Sequence, residues 1–111
     1  MAQGKHDEAA KLLVPFESAS RKAFTGDNSR RLASFLLNLG KARTGLGQFA
    51  DAETDLLEAQ PIFVKTRGAK HKETRECTQA VIDLYTAWHT AERGKGYDAK
   101  AAEWKRKLAA A

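Results

Sequence analysis

Cysteine and proline are scarce in this chain, and each scarcity limits what the protein can be. Among 111 residues there is one cysteine, Cys77, so no disulfide can form within the chain. Its neighbours Glu76 and Thr78 do not provide the spacing of a metal site. We expect Cys77 to be a buried small residue. The two prolines, Pro15 and Pro61, fall inside predicted helices, where we expect local kinks.

Long apolar runs are absent as well. No stretch approaches the roughly 18 consecutive apolar residues that a membrane-spanning helix needs, and the first ten residues lack the apolar segment of a signal peptide. We therefore expect a cytoplasmic protein with no membrane association. With 42% hydrophobic and 30% charged residues the composition is that of a folded protein, and the length suits a single domain over residues 1–111.

Signatures of catalysis and of metal binding are also missing. His6, His71 and His89 are scattered, and no two histidines stand at i and i+4 to share a metal ion. No serine lies in a Gly-x-Ser-x-Gly elbow. Carboxylates such as Asp51 and Glu53 lie near predicted helix starts, where they complement the helix dipole. We therefore predict that the protein is not an enzyme and has no catalytic residues, cofactor or metal site.

A repeat with a period of 42 to 43 residues is what the chain does contain. The segment that begins at Gly4 recurs from Gly47, 43 residues later, and a looser copy begins at Gly94. Between these copies, the turn at Gly26 recurs at Gly68 with a spacing of 42. Self-similarity at a fixed period is typical of repeat architectures that stack into solenoids.

Apolar residues recur at spacings of three and four, which is typical of amphipathic helices. In the clearest segment they are Phe49, Ala52, Leu56, Ala59 and Phe63. Alternation of the strand type does not occur, so the pattern predicts an all-α protein. The predicted helices are five, at about 5–24, 30–45, 49–66, 72–92 and 97–109. We expect Gly68 to end the third of them in the left-handed helical conformation.

The second and third predicted helices carry the motif of a known repeat family. The motif has a large residue, then Leu-Gly, an aromatic residue and two alanines. The residues that carry the resemblance here are Leu36, Leu39, Gly40, Gly47, Phe49, Ala52, Leu56 and Ala59. In these residues the chain resembles the tetratricopeptide repeat. The resemblance implies antiparallel helix hairpins stacked as a short right-handed solenoid, with Gly40 and Ala52 small where two helices cross closely. The family's next aromatic position holds Arg43, a departure that Tyr85 restores one repeat later.

The period is longer than the 34 residues of the common tetratricopeptide repeat. Together with the Gly-x-x-His turn at Gly68 to His71, it looks like the long variant of kinesin light chains, although Lys72 replaces the proline that often follows the histidine. The chain is also similar to the C-terminal repeat arrays of some bacterial serine/threonine kinases. Their Ala-Glu-x-x-Leu-Leu and Leu-Tyr-x-x-Trp stretches begin here at Ala52 and Leu84. The catalytic motifs of kinases are absent.

The resemblance also implies where a partner binds, because ligands of this family usually lie in a concave groove lined by the first helix of each hairpin. Carried over by position, the predicted peptide groove consists of Ser34, Leu37, Lys41, Thr44, Glu76, Gln79, Asp83 and Thr86. Lys41 faces two acidic residues in this set, Glu76 and Asp83. We therefore predict a protein-protein interaction scaffold that binds a peptide or helix with a basic residue of its own.

A basic helical nucleic-acid-binding domain is the alternative hypothesis, because the formal net charge is +5. The basic residues concerned are Lys65, Arg67, Lys70, Lys72 and Arg75, with a second group at Lys100, Lys105, Arg106 and Lys107. No aromatic residue interleaves with the first of these groups to stack bases. We therefore favour a protein partner over nucleic acid.

The five predicted helices make two and a half repeats, so one helix has no hairpin partner. The first predicted helix looks like the second helix of a hairpin whose first helix is missing, which would leave Leu13 and Phe16 partly uncovered. We expect either a fragment of a longer array, as part of a larger signalling protein, or a homodimer in which two copies cover each other's open N-terminal face.

Overall fold

The structure, a computed structural model, describes residues 29–110 together with residues 11, 13, 15 and 17. The first predicted helix, over 5–24, falls almost entirely outside the described residues, and so does Phe16. The predicted open N-terminal face and the five-helix count therefore stay predictions.

Residues 29–110 form helices and no strand, which confirms the all-α prediction for this part of the chain. In chain order the helices are α1 (Ser29–Gly45), α2 (Phe49–Arg67), α3 (Lys72–Ala91) and α4 (Tyr97–Ala110). Each observed boundary lies within one residue of the predicted one. None of these four helices is both long and apolar enough to cross a bilayer.

Neighbouring helices pack in pairs, α1 against α2 and α3 against α4, while α2 also packs against α3. Short connections make such neighbours antiparallel, because the chain has no room to travel back to the other end of a helix. A further contact joins α1 to α3, the first helices of the two pairs. This contact brings together the two helices that carry the predicted groove.

The hydrophobic core lies between α1, α2 and α3. Its largest apolar side chains have essentially no exposed surface and come from all three helices: Leu36, Leu39, Leu56, Phe63, Val81 and Leu84. Each such side chain contributes about 1.5–3 kcal/mol through burial. Cys77 is fully buried, as predicted, and Gly40 and Ala52 are buried too, Gly40 against Leu56 of α2. Within α4, only Ala101 is fully covered by its neighbours.

The turn between α2 and α3 shows how the chain ends one helix and starts the next. Gly68 ends α2 with its N–H donating to the Val64 carbonyl at 2.9 Å. Its φ of 89° is positive, but its ψ of 156° is extended, so the predicted left-handed helical conformation is wrong. Glycine reaches this region because it has no Cβ. His71 then caps α3, its Nδ1 accepting from the Glu73 backbone N–H at 3.1 Å.

Candidate peptide-binding groove

An ion pair links α1 to α3 on their shared surface. The Lys41 Nζ lies 2.7 Å from the Glu76 Oε1, and the two side chains are 42% and 47% exposed. Because solvent screens such a pair, its net contribution to stability is below about 1 kcal/mol. The pair matters for the geometry of the surface. The sequence predicted that Lys41 faces Glu76 and Asp83, and in the structure Lys41 is paired with Glu76.

On one side of this ion pair lies an open hollow of about 280 Å³ between α1 and α3. We call it the Asp83 hollow; it is lined by Lys41, Thr44, Gly45, Ala80 and Asp83. Three of these residues belong to the predicted groove, so the structure does bring them together. Gly45 and Ala80 were not predicted from the sequence, because they carry no functional group. They form the apolar part of the lining.

The acidic side chain of this hollow is held in place by a neighbour. The Gln79 Nε2 donates to the Asp83 Oδ1 at 2.9 Å, one helical turn away on α3. A carboxylate can accept about four hydrogen bonds, so this contact orients Asp83 and leaves it able to accept others. The Asp83 hollow therefore combines an anionic group with an apolar floor.

A second hollow, of about 610 Å³, lies on the other side of the ion pair. We call it the Arg75 hollow; it is lined by Lys72, Arg75, Glu76, Gln79 and Leu108. Glu76 and Gln79 belong to the predicted groove, whereas Lys72 and Arg75 were assigned to the nucleic-acid alternative. Leu108 comes from α4, and its carbonyl accepts from the Arg75 Nη1 at 3.5 Å. The groove surface therefore includes α4, which was not predicted from the sequence.

The remaining three predicted groove residues line neither hollow. Leu37 is only 5% exposed and packs in the core, so a partner would touch little of it. Ser34 is half-buried on α1. The Thr86 hydroxyl donates to the Ile82 carbonyl at 2.8 Å within its own helix.

A buried ion pair between α1 and α2 was not predicted from the sequence. The Arg43 Nη1 lies 2.7 Å from the Asp55 Oδ2, with side-chain exposures of 13% and 1%, and the Arg43 Nη2 lies 3.2 Å from the Glu17 Oε1. Burial opposes the charge of Arg43, but the hydrogen bond and charge of Asp55 outweigh it and raise the arginine pKa. Arg43 therefore keeps its charge in a largely buried position because Asp55 lies beside it as a counter-ion.

Four aromatic rings join α2, α3 and α4 on another side of the molecule. The Trp88 ring stacks on Tyr97 with centroids 4.0 Å apart and on Phe49 with centroids 5.8 Å apart. The Tyr85 hydroxyl donates to the Glu53 Oε2 at 2.8 Å, and burial together with Glu53 raises the pKa of Tyr85. Since Trp88 is 9% exposed and stacks on three rings, those of Phe49, Tyr85 and Tyr97, this cluster is part of the packing between the three helices.

Among residues 29–110 and the four single residues described before them, no three side chains of His, Cys, Asp or Glu form a group that could hold a metal ion. His71 acts as a helix cap, and His6 lies outside the described residues.

Comparison with known proteins assigns no family. No protein-family model, curated protein or solved structure matches this chain. The resemblance to tetratricopeptide repeats therefore rests on the sequence of this chain alone.

Proposed function

We propose that the chain is a tetratricopeptide-like scaffold, without catalytic activity, that binds a peptide or helix of a partner protein across α1 and α3. The observation that carries this proposal is the Asp83 hollow, where the two first helices of successive pairs meet and leave an open, chemically mixed concavity. Stacked repeats characteristically use such extended concave surfaces for binding.

The chemistry of this hollow suits a basic side chain. A lysine or arginine of the partner would lay its hydrocarbon stem on Ala80 and Gly45 and bring its charge to Asp83. Lys41 borders the same hollow, but its ammonium is bonded to Glu76, which reduces its repulsion of an incoming cation. Charge complementarity of this kind sets register and specificity more than affinity.

Peptide selection tests the proposal and requires no partner to be chosen in advance. A random 16-residue peptide library displayed on phage would be selected against the purified chain, and enriched peptides would be synthesised with a fluorescein label. We expect enriched sequences to contain a lysine or arginine. Fluorescence polarisation would then show binding weakened at least about tenfold by Asp83→Lys, because a like charge replaces the counter-ion.

A matched control separates this effect from a change in net charge. Asp98 is exposed on α4, outside both hollows, so Asp98→Lys makes the same charge change elsewhere. We expect it to leave peptide affinity within about twofold, because Asp98 lines neither hollow and solvent screens an exposed charge. Absence of enrichment, or equal losses for both variants, would contradict the proposal.

A further inference from the structure

The two hollows carry opposite charges on either side of the Lys41 and Glu76 ion pair. Lys41 lines the Asp83 hollow, Glu76 lines the Arg75 hollow, and their 2.7 Å contact lies between the two. Because these two charges compensate each other, the unbalanced charges are those at the two ends. One end presents the carboxylate of Asp83, and the other presents the cations of Lys72 and Arg75.

We propose that the groove recognises one extended segment of a partner protein in which an acidic and a basic residue stand four positions apart. The acidic side chain enters the Arg75 hollow and the basic side chain enters the Asp83 hollow. This inference rests on the proposed function and specifies the partner sequence and its direction along α3.

The spacing follows from helix geometry. Arg75 and Asp83 are eight residues apart on α3, which is about 12 Å along the helix axis at 1.5 Å per residue. An extended segment advances about 3.3 Å per residue, so four residues span about 13 Å. Alternate side chains of an extended segment point to opposite faces, so an even number of residues places both charged groups on the face toward the groove. A helical partner would instead need a separation of about eight residues.

The Arg75 hollow has the donors that a carboxylate requires. The Arg75 guanidinium makes one long contact of 3.5 Å, to the Leu108 carbonyl, and a guanidinium has five N–H donors in all. Lys72 is exposed at the first residue of α3, where the positive end of the helix dipole adds to the attraction for an anion. Leu108 offers apolar surface to the methylene groups of an aspartate or glutamate.

Nucleic acid would use the same two cations, but the hollow suits it less. No aromatic residue lines this hollow to stack a base, and the carboxylate of Asp83 at the other end of the groove would repel further phosphates. A partner that supplies one carboxylate and one cation complements both hollows, whereas a polyanion complements only one. Charge complementarity therefore favours the peptide.

The test is a double-mutant cycle on the peptides selected against the wild-type chain. Each labelled peptide would be made with its acidic residue replaced by alanine and measured against wild type and Arg75→Glu. We expect Arg75→Glu to weaken the parent peptide at least about tenfold but to change the alanine peptide less than about threefold. Arg106→Glu, the same charge reversal at an exposed α4 position outside both hollows, should leave both affinities unchanged.

Exchanging the charges on both the chain and the peptide tests whether binding can be recovered. The double variant Arg75→Glu with Asp83→Lys should regain binding to a peptide whose acidic and basic residues have been exchanged. If Arg75→Glu does not fold, as judged by circular dichroism, Arg75→Gln replaces it, with a smaller expected loss.

The results distinguish a failure of the spacing inference from a failure of the proposed peptide-binding function. If peptides are enriched with a basic residue but no acid four positions away, or if Arg75→Glu weakens parent and alanine peptides equally, the inference is wrong and the proposed function stands. If no peptide is enriched, both are wrong. Salt-sensitive binding of a single-stranded oligonucleotide that is lost in Arg75→Glu, with no peptide bound, would replace both with the nucleic-acid alternative.

Discussion

Gly40 of α1 lies directly against Leu56 of α2, so closely that a Cβ atom added to Gly40 would stand 2.6 Å from both Cγ and Cδ2 of the leucine. Leu56 is fully buried and has little room to move away. The absence of a side chain at Gly40 therefore sets how closely the two helices approach. This contact is the physical reason for a glycine at position 40.

Gly40→Ala should destabilise the chain despite the helix propensity of alanine. Alanine gains about 1 kcal/mol over glycine within a helix, whereas overpacking a core costs about 1–3 kcal/mol. We expect a net loss of about 1 kcal/mol in the free energy of unfolding, measured with urea. Asn38→Ala, at an exposed position of α1, should not lower it. In a Leu56→Ala background the Gly40→Ala cost should disappear; an equal cost in both backgrounds would show that the crossing does not depend on this contact.

Removing Arg43 should cost far more than removing the exposed lysine two residues earlier. Arg43→Met leaves the carboxylate of Asp55, which is 1% exposed, without its guanidinium partner. Breaking a buried pair on one side costs about 3–5 kcal/mol, so we expect a loss of about 3 kcal/mol. Lys41→Met breaks an exposed pair and should cost less than about 1 kcal/mol. Urea denaturation of both variants makes the comparison, and similar losses would contradict the burial argument.

An aromatic residue in place of Arg43 should recover this loss of stability only when Asp55 is also replaced. Arg43→Tyr alone removes the guanidinium that neutralises the buried carboxylate of Asp55, so we expect it to be as destabilising as Arg43→Met. Arg43→Tyr combined with Asp55→Leu replaces both charges with apolar groups, a change that is often neutral or stabilising. A double variant less stable than Arg43→Tyr would show that the position tolerates arginine alone.

Tyr97→Ala should expose one face of Trp88. The loss of a stacked ring at 4.0 Å removes both apolar burial and an aromatic contact, which we expect to cost about 2 kcal/mol. Measured in a Trp104→Phe background, the fluorescence of Trp88 should shift to longer wavelength. Tyr97→Phe keeps the ring and serves as the control, with no shift expected. An unchanged emission maximum in Tyr97→Ala would mean that other residues cover Trp88.

Cys77 should be unreactive in the native protein. Burial raises its pKa from 9.0 to about 12, and the thiolate is the reactive form. At pH 8 we expect its reaction with a disulfide reagent to be at least about 100-fold slower than in urea, because reaction requires unfolding. A raised native pKa stabilises the fold below the unfolded pKa, and this contribution falls as pH rises from about 9 toward 12. Cys77→Ala should therefore lose less stability than wild type over that pH range.

Helix positions were predictable from the sequence because the apolar stripes of α1, α2 and α3 coincide with the surfaces that become buried. The close approach of α2 at Gly40 was also predictable, since the sequence resemblance implied a small residue there. The conformation of Gly68 was not, because a glycine after a helix is compatible with several positive-φ geometries.

The candidate site was predicted less completely. Register along a helix placed Lys41 and Asp83 on the same surface, but it could not show that Leu37 is 5% exposed, which depends on how the helices pack. The sequence did contain a sign of the pair between Arg43 and Asp55. Asp55 is an acidic residue on the apolar stripe of α2, and Arg43 stands where the resemblance implies an aromatic residue. Leu108 brings α4 to the Arg75 hollow through a contact between distant parts of the chain. No local sequence pattern predicts such a contact.

A ¹H–¹⁵N NMR titration with a selected peptide shows directly which residues of the chain the peptide contacts. If the groove across α1 and α3 is the binding site, the backbone amide shifts should be largest at Lys41, Thr44, Ala80 and Asp83, around the hollow between these helices. Shifts concentrated instead around Leu57 and Val64, the exposed apolar residues of α2, would contradict the account and place binding outside the groove.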